Sequence, residues 1–139
     1  METWIIYALL SALFAGMTSV LAKFGMEKLQ ADQALFIRIL TIFVILNGML
    51  MAGHRYTAFR GIASKDILLL IASGITTSMS WIFYYRAMKE GTVSYVASID
   101  KLSIVITLAL SFLLLKEPVT AKAAAGSLLI IAGIAVLLI

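Results

Sequence analysis

Cysteine is absent from this chain, which excludes thiolate metal sites and disulfide bridges. Histidine occurs once, at His54, and the sequence holds no HExxH pair, no phosphate-binding glycine loop and no serine beside a base, so no catalytic constellation points to an enzyme. No cofactor or metal is implied. Proline also occurs once, at Pro118, and charge is scarce, with Asp, Glu, Lys and Arg making up 13% of 139 residues. Apolar side chains fill the space that charge leaves: they are 63% of the residues and give a mean hydropathy of +1.07. No soluble core of this length buries that much apolar surface.

The apolar residues gather into five stretches, over residues 3–22, 34–52, 66–87, 93–115 and 120–139. A helix needs about 20 residues to cross a hydrocarbon core about 30 Å thick, so each stretch is long enough to span a bilayer. The connections are short, which leaves no room for an aqueous domain. The first stretch is too long for the apolar region of a secretory signal and follows Glu2 rather than a basic segment, so it is read as a retained helix. Gly25 and the polar residues after it mark the first turn, Gly91 stops the third span, Pro118 cannot continue the fourth, and Thr120 is placed to cap the fifth. The segment 53–65 carries His54, Arg55, Arg60 and Lys65; it is expected outside the hydrocarbon with a short interfacial helix, against anionic lipid headgroups rather than nucleic acid.

Five spans put the chain ends on opposite sides, so the loops form two sets. Arg55, Arg60, Lys65, Lys116 and Lys122 lie on one side, against Lys23, Lys28, Arg86 and Lys89 on the other. Counting Arg38 and Lys101 with the second set turns five against four into five against six. Orientation is thus weakly specified by positive charge, and insertion in both directions is expected, unless another feature such as the hydrophobicity of the first span fixes one topology.

Charged residues well inside the spans are Arg38 in the second and Asp100 and Lys101 in the fourth. Such charges are costly in hydrocarbon and therefore mark substrate or coupling groups, or structural pairs that pin helices together. Both spans start on the same side, with Arg38 about 6 Å and Asp100 about 6 to 10 Å along their helices, so an Arg38–Asp100 ion pair is expected. Lys101 projects about 100° around the helix from Asp100, so both cannot point at the same neighbour, and one of them is left to face a cavity or a second protomer unless Lys101 snorkels to the interface. A free Lys101 would favour an anionic or zwitterionic substrate. Asp100, the one carboxylate at this depth, is the candidate proton or cation coupling group.

The third span carries a hydroxyl stripe, Ser73, Thr76, Thr77, Ser80 and Tyr84, at helical spacing, and the first carries Trp4, Tyr7, Ser11 and Thr18. Two such stripes facing each other would line a pathway, although small and hydroxyl residues also serve simple close packing in lipid. Trp81, Tyr84 and Tyr85 near the end of the third span suit an interfacial aromatic belt, with Trp81 or Tyr84 as a stacking group for substrate. Gly126 and Gly133, seven apart in the fifth span, offer a face for helix association within or between protomers.

The run WIFYYRAMKEGTVSYVASIDKLS over residues 81–103, LLLKEPVT over 113–120, GSLLIIAG over 126–133, Lys23, Phe24 and Gly25, and Ile37, Arg38 and Ile39 together resemble the EamA domain of the drug/metabolite transporter superfamily. That resemblance implies an all-α fold in which five transmembrane helices form one half of a ten-helix inverted-repeat transporter. It implies a small secondary carrier or exporter of a metabolite or drug-like solute in the cytoplasmic membrane. With one half per chain, the inverted partner must be a second copy, so the resemblance and the even loop charge both imply an antiparallel homodimer working by alternating access. A flippase for a lipid-linked amphipathic substrate and a non-transporting subunit of a larger complex are the alternatives. The chain departs from the family in having Ile104 where many members carry a proline after the position of Leu102 and Ser103, and in lacking the acidic residue by which small multidrug relatives couple protons in the first span.

Overall fold

A computed structural model describes residues 2–59 and 61–139; Arg60, one of the loop charges counted above, lies outside the described residues. The architecture is all-α. Among the described residues, five helices are long and apolar enough to cross a membrane, and they make the chain a multi-pass membrane protein. The chain falls into two compact units that divide between Glu90 and Gly91.

The first unit holds α1 (Thr3–Gly25), α2 (Ala31–Ala52), a 3-10 turn (Arg55–Phe59) and α3 (Ser64–Glu90). The segment after α2 thus does carry a short helical turn, entered through His54 at φ 50° and left through Gly61 at φ +91°. Tyr56 donates from its hydroxyl to Asn47 Oδ1 at 2.7 Å, tying this turn back to α2. At the start of α2, Gln30 and Gln33 form a reciprocal capping box that satisfies otherwise orphaned N–H groups.

Side chains buried in this unit are Met26, Ala31, Leu35, Tyr85 and Met88, all clustered where α1 ends, α2 begins and α3 ends. Spacings of four and three put Ala31, Leu35 and Arg38 on one face of α2, and Trp81, Tyr85 and Met88 on one face of α3. Elsewhere Leu, Ile, Val and Phe point outward, as suits helices whose surroundings are hydrocarbon.

Lysines join α1 to α3. Lys23 Nζ donates to Met88 O at 2.6 Å and to Lys89 O at 3.4 Å, while Lys89 Nζ donates to Met26 O and to Glu27 O at 3.3 Å. Each helix thereby places its cation on the unsatisfied carbonyl end of the other, where the macrodipole is negative. Arg86 adds a bridge from α3 to Asp32 at the start of α2, at 3.3 Å.

The second unit holds α4 (Val93–Asp100), α5 (Ser103–Leu110), a π turn (Ser111–Leu115) and α6 (Ala121–Leu138). The fourth span is therefore not one regular helix. Lys101 N–H bonds to Ser98 O and Leu102 N–H to Ile99 O, both three residues back, and Ile104 N–H bonds to Lys101 O. The break falls beside Ile104 and holds no proline. At the far end Lys116 adopts φ 55°, and Glu117 N–H closes onto Ser111 O before Pro118. Thr120 caps α6 as expected, accepting from Ala123 N–H at 3.1 Å.

Candidate functional site

Arg38 is the centre of the first unit's chemistry. Its guanidinium lies 4.6 Å from the centroid of the Trp81 ring and 5.7 Å from that of Tyr85, and Nη1 donates to the Tyr85 hydroxyl at 3.1 Å. The helical registers just described account for this meeting: α2 and α3 turn the Leu35/Arg38 and Trp81/Tyr85 faces toward each other. Cation–π contact with two rings compensates part of the loss of water by about 0.5–2 kcal/mol each. In its own unit, among the described residues, no carboxylate lies within salt-bridge distance of Arg38.

Arg38 opens onto a groove of about 470 Å³. Thr18 and Leu21 of α1, Ile37, Arg38 and Thr41 of α2 and Tyr85 of α3 line it. The Thr41 hydroxyl is already donated to Ile37 O at 2.9 Å, so it faces the groove as an acceptor. The lining is mostly apolar apart from the Thr18, Thr41 and Tyr85 hydroxyls, with one permanent positive charge at its wall.

Asp100 and Lys101 sit in the other unit, at the break between α4 and α5, with Lys101 Nζ 3.7 Å from Asp100 Oδ2. At this turn the two neighbouring side chains pair with each other, a contact that the sequence does not announce. Within their own units, then, Arg38 uses aromatic partners and Asp100 uses Lys101. Both side chains of the Asp100–Lys101 pair are more than a third exposed, which keeps the pair weak.

The hydroxyl stripes divide. Tyr84 does meet α1, its hydroxyl lying 2.8 Å from the Ser19 hydroxyl, but Ser19 was not in the expected stripe. Thr76 and Thr77 both donate to Ser73 O at 2.8 Å and are exposed, as are Ser73, Ser80, Tyr7 and Ser11. Such back-bonding satisfies a hydroxyl in apolar surroundings without any ligand. Of the α1 stripe, Thr18 alone lines the groove. Among the described residues of its own unit, a Cβ added at Gly126 or Gly133 meets nothing within 4 Å, so neither glycine is needed for close packing within that unit.

Several site residues escaped the sequence reading. Tyr85 is 2% exposed and takes the Arg38 hydrogen bond, whereas an interfacial belt was the expectation for that cluster. The available signal was its position four residues after Trp81 on the face that carries Met88. In the second unit Ser103, Thr107 and Ser111, spaced by four along α5 and into the π turn, line a groove of about 440 Å³ with Glu117 and with Ser127 of α6, a hydroxyl line absent from the sequence-based candidates.

The whole sequence matches known proteins. Residues 2–139 match the EamA-like transporter family. A protein of Sinorhizobium sp named as an uncharacterized transporter in the cobO 3′ region is 36% identical over 132 residues, covering 95% of this chain and 94% of the relative. An uncharacterized protein of Methanocaldococcus jannaschii is 32% identical over 137 residues, covering 99% of this chain and 97% of the relative. No solved structure matches it. Both relatives align over nearly their whole length, so the matched five-helix unit makes up almost all of those proteins as well. Five membrane-length helices, a groove with a charged wall and a match from end to end lead to one conclusion: this chain belongs to the EamA-like transporter family.

Proposed function

We propose that the chain is a small secondary carrier of a metabolite or drug-like solute in the cytoplasmic membrane, working by alternating access as an antiparallel pair of identical chains. The observation that carries this reading is the groove at Arg38: a cavity of ligand size, walled by membrane-length helices and holding a charge that is expensive to keep in hydrocarbon. The family match supports transport as the activity. A five-helix unit and nearly even loop charge support the inverted pair, because a second copy inserted the other way supplies the missing half. Backbone that leaves the α-helical pattern at membrane depth is tolerated where it faces protein or water, so the break at Asp100 and Lys101 belongs at the interior of that assembly. Asp100 is the proton or cation coupling group there, and Gly126 and Gly133 form the face on which the copies associate. Ser73, Thr76, Thr77, Ser80, Tyr7 and Ser11 remain candidate lining of the second, inward-facing wall.

Purified protein in liposomes tests this. Uptake of solute by vesicles containing this chain alone is the expected result, with Asp100→Asn abolishing any acceleration by a pH gradient. Lipid scrambling without solute flux would assign the groove to a flippase, and neither activity would point to a subunit of a larger complex.

A further inference from the structure

The guanidinium of Arg38 offers five N–H donors, and among the described residues of its unit one of them is used, by the Tyr85 hydroxyl. Its charge is permanent, its partners within the unit are neutral, and the groove it faces is mostly apolar, with hydroxyls of Thr18, Thr41 and Tyr85. Trp81 covers the flat face of the guanidinium, which leaves the in-plane edge as the free recognition surface. That edge presents two parallel N–H groups, the arrangement that matches the two oxygens of a carboxylate. We infer that the groove between α1 and α2 binds amphipathic organic carboxylates, with the carboxylate forked on Arg38 and an apolar body lying along Leu21 and Ile37 toward Thr18.

This assignment rests on reading the groove as the carrier's substrate site, and it names the class of substrate. A cation would meet a positive charge that no carboxylate within this unit compensates, and a neutral solute would leave that charge without an anion in a mostly apolar wall. A carboxylate neutralises it. The orientation follows from the lining: the acid enters charge first toward the α2/α3 seam, and specificity for the body is set by loose apolar contacts.

Two tryptophans make the test direct, because Trp81 touches the proposed site and Trp4 lies far along α1 near Glu2. With Trp4→Phe as background, Trp81 emission is followed in uncharged detergent while 3-phenylpropanoate, its neutral amide or 3-phenylpropylamine is added. The acid is expected to change the emission saturably, with the amide and the amine at least about tenfold weaker. Arg38→Gln removes that preference, and Arg38→Lys, which keeps the charge but loses the fork, retains preference over the amine with weakened affinity for the acid. Equal binding of acid and amide overturns the inference, and so does a preference that survives in Arg38→Gln. A response that requires added phosphatidylglycerol and not the acid assigns the guanidinium to a lipid headgroup and overturns it as well. Should Arg38→Gln fail to fold, the Arg38→Lys comparison decides alone. Binding without flux in liposomes would sink the carrier while leaving this site intact; flux of solutes without regard to charge would sink this site while leaving the carrier.

Discussion

At the scale of single residues, Arg38 shows how far a sequence carries. An arginine inside an apolar span announces itself through the cost of its charge, and that much was legible. Its partners within its own unit were not, because aromatic side chains on another helix leave only the faint mark of matching registers, whereas opposite charge such as that of Asp100 is the strongest signal in a linear sequence. Tyr85→Phe removes the acceptor at 3.1 Å and is expected to weaken the unit by about 1 kcal/mol, seen as a lower melting temperature in detergent. Lys116 tells the opposite story, since it holds a left-handed conformation at φ 55° that glycine adopts freely. Lys116→Gly is expected to raise stability by up to about 1 kcal/mol in the same thermal assay, unless its charge contributes to insertion.

At the scale of elements, helix positions were readable because apolar length and punctuation by Gly25, Gly91, Pro118 and Thr120 are local properties. The break in the fourth span was not, because residues 93–115 contain neither glycine nor proline and local propensity therefore favours one continuous helix. Only the shift of hydrogen bonds to partners three residues back reveals it. A proline should therefore be cheap there. Ile104→Pro costs one such bond and is expected to lower the melting temperature much less than Thr107→Pro, which removes a regular bond within α5 and costs about 3 kcal/mol. The paired lysines at the ends of α1 and α3 make the complementary case. Lys23→Met and Lys89→Met each withdraw a charge-assisted cap and are expected to cost about 1–2 kcal/mol, whereas Arg86→Gln breaks a bridge whose side chains are 58% and 63% exposed and should change stability by less than about 1 kcal/mol.

At the scale of the whole molecule, the five spans and their near balance of loop charge were visible in residue order alone, since span length and lysine and arginine placement need no tertiary information. What composition could not supply is the wall of the site, which depends on which faces of α1, α2 and α3 meet. The same charges that decide insertion are partly committed in the folded state: Lys23 and Lys89 cap helices and Arg86 pairs with Asp32. The central claim is that copies of one chain, inserted in opposite directions, form one carrier. The absence of native cysteine makes this measurable, because Thr57→Cys places the only thiol of the chain in the long segment between α2 and α3. Labelling intact cells with a membrane-impermeant maleimide, before and after permeabilisation, reads the side on which that thiol lies. The account predicts two populations of comparable size, one labelled from outside and one only after permeabilisation; a thiol confined to a single side would contradict it.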